Sequence, residues 1–180
     1  MGRVVAGLMS LLGIFTYAGC QTQSPHYPGV IPLRVSDVAE RGDAARRASV
    51  RLVIQGLDAD TAADLYLGAD SDTELRRAQG SYERAIQVDP TNPYGYLALA
   101  RHHLDGGDAS QAANLIDQAS ALFETEGLRS PEVSVHVIGL RGWSFESRGR
   151  AGEAELYLNR AAILAPGVWG DGSLSAEELR

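Results

Sequence analysis

The chain has 180 residues and no lysine. That absence removes phosphate-loop chemistry, in which a lysine side chain must reach the phosphates. All 16 basic residues are arginines, set against 23 acidic residues, for a net charge of −7. An acidic chain is poorly suited to nucleic acid, whose binding runs on neutralised phosphates. There is a single cysteine, Cys20. It excludes an internal disulfide framework, a zinc ribbon and any cysteine-ligated cluster. The four histidines are few and scattered. Two are adjacent, His102 and His103, but neighbours on a helix point about 100° apart and cannot easily share a metal. There is no Gly-x-Ser-x-Gly elbow and no second cysteine or histidine pair placed for a triad. The sequence therefore predicts no enzyme, no cofactor and no metal.

What is present begins with the first twenty residues. Arg3 precedes an apolar run from Val4 to Ala18, too short and lightly flanked to span a bilayer and of the length of a secretory h-region. The run ends Tyr17-Ala18-Gly19-Cys20. One reading is an ordinary signal peptide followed by a free cysteine. The small-small-Cys ending resembles the lipobox of bacterial lipoproteins, although Tyr17 stands where that family usually has leucine. The resemblance implies cleavage of residues 1–19 and lipidation of Cys20. Two or more acyl chains give stable anchoring where one is marginal. Gln21, rather than aspartate, follows the cysteine, which in Gram-negative lipoproteins implies sorting to the periplasmic face of the outer membrane.

Residues 20–42 read as a flexible tether. Pro25, Pro28 and Pro32 interrupt regular structure there, and residues 21–42 stretch to about 70 Å when fully extended. The alternative is that Val30, Ile31 and Leu33 pack back onto the folded body. From Asp43 onward, alanine, leucine and arginine recur at helical spacing. Asp43 can cap a helix, and the first helix of the body is either the long stretch from Asp43 to Ala63, followed by a loop at Gly68-Ala69-Asp70, or Asp60 to Ala69; the long stretch continues one unbroken pattern. Ser71 and Glu74 have capping-box spacing for a second helix, stopped by Pro90. Further helices are expected at about 93–104, 109–124, 131–147 and 151–164. No segment sustains a period of two, so the class is all-α.

Three helices share one pattern of alanine, a bulky residue four on, and alanine three further: Ala78/Tyr82/Ala85, Ala112/Ile116/Ala119 and Ala154/Leu158/Ala161. Steps of four and three hold these residues on one face, where the alanines admit a neighbouring helix. The interval is 34 residues, then 42, which is 34 plus an insertion at 125–132. Tyr96, Ala100 and Gly107-Asp108 in the second unit fall in the spacing of the tetratricopeptide repeat. So do Ile138, Gly142, Phe145, Gly149 and Pro166 in the third, and the region from about 45 to 166 resembles that family. The resemblance implies antiparallel helix pairs stacked as about three units in a short right-handed solenoid, with the domain at 43–166 and a tail at 167–180. A generic antiparallel bundle with alanine-rich seams is the alternative. The tail Asp171 to Leu179 is similar to the later half of an EF-hand loop, but Gly167 and Trp169 stand where its first ligands belong.

In the repeat family the first helix of each unit lines a concave groove. The groove positions here are Tyr94, Leu97, Arg101 and Asp105 in the second unit, and His136, Gly139, Trp143 and Glu146 in the third. Tyr, Trp and Arg often dominate interface energy, so the expected partner is an envelope protein or peptide seated in this groove. Packing of Trp143 between units and pairing of Arg101 with Asp105 is the structural alternative. The groove lacks the lysine and asparagine of the carboxylate-clamp version of the family. Arg41, Arg46, Arg47 and Arg51 cluster where tether meets body, as a solvated face or as a contact for anionic lipid. The functional expectation is a lipid-anchored interaction scaffold or adaptor of the bacterial cell envelope. The alternative is a pilotin-like accessory factor for an outer-membrane secretion or pilus complex.

Overall fold

The structure, a computed structural model, describes residues 29–180. The signal segment 1–19, Cys20 and the first part of the expected tether lie outside the described residues. A 3-10 turn at Val35–Val38 precedes six long helices: α1 (Ala44–Ala63), α2 (Ala69–Val88), α3 (Pro93–Asp105), α4 (Ala109–Thr125), α5 (Pro131–Ser147) and α6 (Ala151–Leu164). Two short helices follow, α7 (Pro166–Trp169) and α8 (Ala176–Leu179). No strand occurs among the described residues.

Side chains next to the backbone set most of these boundaries. The carboxylates of Asp43 and Asp108 accept from the N–H of Arg46 and Gln111 at 2.8 and 3.1 Å. Asn92 and Ser130 cap α3 and α5, each followed by a proline whose missing N–H costs nothing at a first turn. The long reading of the first helix holds: α1 runs unbroken for 20 residues. The Ser71–Glu74 capping box does not form. Instead α2 starts three residues earlier, with Gly68 at φ +64° in the N-cap position, and continues straight through Ser71. Helix α4 runs past Glu124 to Thr125 and turns at Gly127, also at positive φ.

Helices α1/α2, α3/α4 and α5/α6 pack as three pairs, and α2 meets α3 and α4 meets α5 between pairs. The repeated alanines Ala78, Ala85, Ala112, Ala119, Ala154 and Ala161 are all buried, as are Tyr82 and Ile116. Tyr82 lies against Gly56, where an added Cβ would come within 2.3 Å of its ring, and Leu158 lies against Gly142 in the same manner. The result is an all-α stack of three antiparallel pairs, a short tetratricopeptide-like solenoid.

The two ends of the described chain depart from expectation. Residues 20–42 were expected to form a tether, but 30–42 belong to the body. The Val30 N–H donates to Leu164 O at 2.7 Å and the Leu33 N–H to Glu132 O at 3.2 Å. Val35 and Val38 are buried, while Ile31 stays 85% exposed. The reason is spacing: Val35 and Val38 sit three apart on one face of a turn, and burying a valine contributes about 1.5 kcal/mol or more. The tail is equally ordered. Trp169, Leu174, Ala176 and Leu179 are buried, and α8 lies against both α1 and α3. The Arg180 guanidinium pairs with Asp58 of α1, and the Ser36 N–H donates to Arg180 O at 2.9 Å, joining the two ends of the described chain.

Candidate binding surface

The first helices of the three units, α1, α3 and α5, stand side by side. The chain's own tail crosses all three. Trp169 sits on α5, filling the space beside Gly139, where a Cβ would meet the indole at 2.3 Å. Helix α8 then continues over α3 and α1. Ser175 and Glu178 form a capping box that holds this last turn as a helix. The tail thus occupies the side of the stack on which the groove was expected.

This changes the status of the expected groove residues. Tyr94 is 5% exposed, packs edge-on to Phe123 with centroids 5.3 Å apart, and faces Val38 and Val50 across a small cleft. Leu97 is buried in the core. His136 is buried between the N-terminal segment and the tail: its Nε2–H donates to Leu33 O at 3.0 Å, and its ring centroid lies 6.3 Å from that of Trp169. Gly139 lies under Trp169. Asp105 and Glu146 remain exposed and Trp143 is half-buried. The seven side chains are therefore not one open surface. Four lie beneath the surface, and Asp105, Trp143 and Glu146 are accessible.

Arg101 is drawn into a buried polar junction between the first two units. Asp60 of α1 is 2% exposed. It accepts from the Tyr82 hydroxyl at 2.8 Å, pairs with His102 Nδ1 at 2.8 Å and lies 3.4 Å from the Arg101 guanidinium. Arg101 also reaches Asp105 at 2.7 Å, the i to i+4 pairing that sequence spacing allows. Burial, then the neighbouring Asp60 charge, pushes the Tyr82 phenol well above its usual range. His103 is not part of this junction, and burial lowers its imidazole. The His102–His103 pair is thus split, one ring on Asp60 and one not. Sequence spacing could not reveal Asp60 as the hub, since it lies 41 residues before Arg101 and meets it only through stacking.

Three of the four clustered arginines, Arg46, Arg47 and Arg51, are engaged within the fold, while Arg41 is exposed. Arg46 binds Asp89, the Thr91 hydroxyl at 2.9 Å and Glu126 at 3.1 Å. Burial raises the Asp89 carboxyl, but Arg46 and the Thr91 hydroxyl and N–H outweigh it and hold the group below the usual carboxylate range. Arg51 pairs with Glu40 at 2.8 Å, and Arg47 donates to Gly42 O. In the tail, Asp171 accepts from the N–H and hydroxyl of Ser173. Among the described residues, no three His, Cys, Asp or Glu side chains converge as a metal site, and no helix is long and apolar enough to cross a membrane.

No curated protein and no solved structure matches the chain. Residues 71–126 match the family model of the tetratricopeptide repeat. The matched span runs from the start of α2 to the end of α4, so the second helix of unit one and the whole of unit two are similar to that family.

Proposed function

We propose that the chain is a protein–protein interaction scaffold of the bacterial envelope, anchored by lipid on Cys20. The observation that carries the interaction role is the stack of three helix pairs, with its central stretch similar to the tetratricopeptide repeat, a family of non-catalytic interaction scaffolds. The lipobox-like Tyr17-Ala18-Gly19-Cys20 supports the anchor. With the tail over α3 and α5, the partner meets the part of the concave side that stays accessible: Asp105, Trp143 and Glu146.

The test is a pull-down from membranes comparing the native chain with Trp143→Ala/Glu146→Arg. Arg101 is left alone, because reversing its charge beside buried Asp60 would unfold the chain. Loss of a co-purifying protein in a variant that keeps its helical circular dichroism supports this surface. A folded variant that keeps every partner rejects it. Cys20→Ser tests the anchor separately. The expected result is loss of palmitate incorporation and release from membranes, and a variant that retains both overturns the lipid reading.

A further inference from the structure

The outer faces of α2, α4 and α6 can be compared position by position through the repeated alanines. Two residues after each alanine or bulky residue, the side chain points about 200° away from the seam. In α2 these positions hold Gly80, Arg84 and Gln87; in α4 they hold Asn114, Gln118 and Ala121. In α6 they hold Leu156, Arg160 and Ile163. Leu156 is 68% exposed and Ile163 78% exposed. This is not the unfinished end of a stack, because the seam of α6 is the opposite face, where Ala154 and Ala161 are buried. Among these outward positions, two large aliphatic side chains one heptad apart, with a single arginine between them, are thus held in water on α6 alone; the other strongly exposed aliphatics of the body, Leu65 at 80% and Leu67 at 92%, lie in the turn between α1 and α2.

The described chain begins at the same place. Val30 is bonded to Leu164 O, next to Ile163, and shares a cleft with Arg160 and Arg129. The adjacent Ile31 is the third strongly exposed aliphatic residue here. From Gly29 back to Cys20 there are nine residue steps, which reach at most about 30 Å. A body pinned at Val30 is therefore held much closer to Cys20 than a free tether of 22 residues would hold it.

We propose that Leu156, Ile163 and Ile31 form a surface that rests on the lipid bilayer, with Arg160 meeting anionic headgroups. The inference rests on the reading that Cys20 is lipidated, and it adds an orientation: the outer face of α6 turns to the membrane. Aliphatic side chains seat at the boundary of headgroups and acyl chains, while an arginine stem lies along them with its charge outward. The concave side, with Trp143 and Glu146, is then left free for a partner.

The experiment uses the acylated full chain in vesicles of phosphatidylethanolamine and phosphatidylglycerol. In that form the Cys20 sulfur is blocked, so one introduced cysteine takes an environment-sensitive fluorophore alone. Ile163→Cys is compared with Asp72→Cys, an exposed position on α2, in the presence of a lipid-borne nitroxide quencher. The expected result is loss of most fluorescence at 163 and little loss at 72. Weak quenching at both sites, in protein that carries palmitate, overturns the docking surface and leaves the anchor standing. Absence of palmitate overturns the anchor, and the docking surface with it. An unquenched label at 163, together with capture of a second copy or an envelope protein when the same cysteine carries a photo-cross-linker instead, assigns the face to a protein and overturns the lipid assignment.

Discussion

Trp169 occupies the space that any side chain at Gly139 would need: a Cβ there would come to 2.3 Å from the indole. The contact locks the tail to the third unit, and from there α8 reaches the first. Gly139→Ala should force the indole out or shift α5, at a cost of about 1–3 kcal/mol for an overpacked core. Trp169→Ala removes the largest buried side chain and should cost about 3–5 kcal/mol. Denaturant titration followed by circular dichroism reads both. Little change in midpoint for Trp169→Ala would mean that the tail is not part of the cooperative fold.

The junction around Asp60 should respond unequally to two small substitutions. Tyr82→Phe removes one hydrogen bond and leaves the charges matched, so about 1 kcal/mol is expected. Asp60→Asn leaves the Arg101 guanidinium, 3% exposed, without its buried countercharge, and should cost about 3–5 kcal/mol. Equal losses from the two variants would show that Asp105, half-exposed beside Arg101, neutralises the guanidinium by itself.

Arg46 ties three separated segments: α1, the turn at Asp89–Thr91, and Glu126 at the end of α4. Arg46→Gln should cost about 1–3 kcal/mol, the range for charge-assisted hydrogen bonds that are partly shielded. The loss should survive moderate salt better than loss of the exposed Arg51–Glu40 pair, which Arg51→Gln removes and which is screened. Melting curves at low and high salt for the two variants measure the difference.

The backbone plan was legible because its signals are local. Asp43 and Asp108 sit next to the N–H groups they cap, Pro90 stands just past the end of α2, and the alanine spacing writes each seam into a single helix. The Ser71–Glu74 signal misled for the same local reason: the preceding residues Ala69 and Asp70 join the helix and leave no free N–H groups to cap. The surface was less legible because its state depends on distant segments. Tyr94, Leu97, Arg101 and His136 lie on the helices that sequence assigned them to, yet residues 30–42 and 167–180 come back to cover that side. Val35, Val38, Leu174 and Leu179 lack the long periodicity that would have flagged these short pieces as core. Gly139 was read only as a groove position, and the space it leaves is filled by the chain's own Trp169.

His136 links acidity to the closure of both end segments of the described chain. Burial pushes its imidazole down to about 4, although the hydrogen bond to Leu33 O and the charge of Glu178 oppose the shift. In the unfolded chain the same group titrates near 6.5. Between these values the unfolded state binds the extra proton, so stability rises with pH through this window and is lost as pH falls through it. The full difference corresponds to about 3 kcal/mol, complete only once the pH approaches 4. Protonation would place a charge beside Trp169 with Nδ1 facing no acceptor among the described residues, so the tail and the segment around Leu33 should loosen first. The expected observation is a fall in stability between pH 6.5 and 4 that is largely removed in His136→Gln, which keeps a donor for Leu33 O and cannot titrate. Denaturant midpoints of the two proteins across that range decide it: parallel curves would place the acid sensitivity in the carboxylates, such as Asp89 on Arg46, and not in His136.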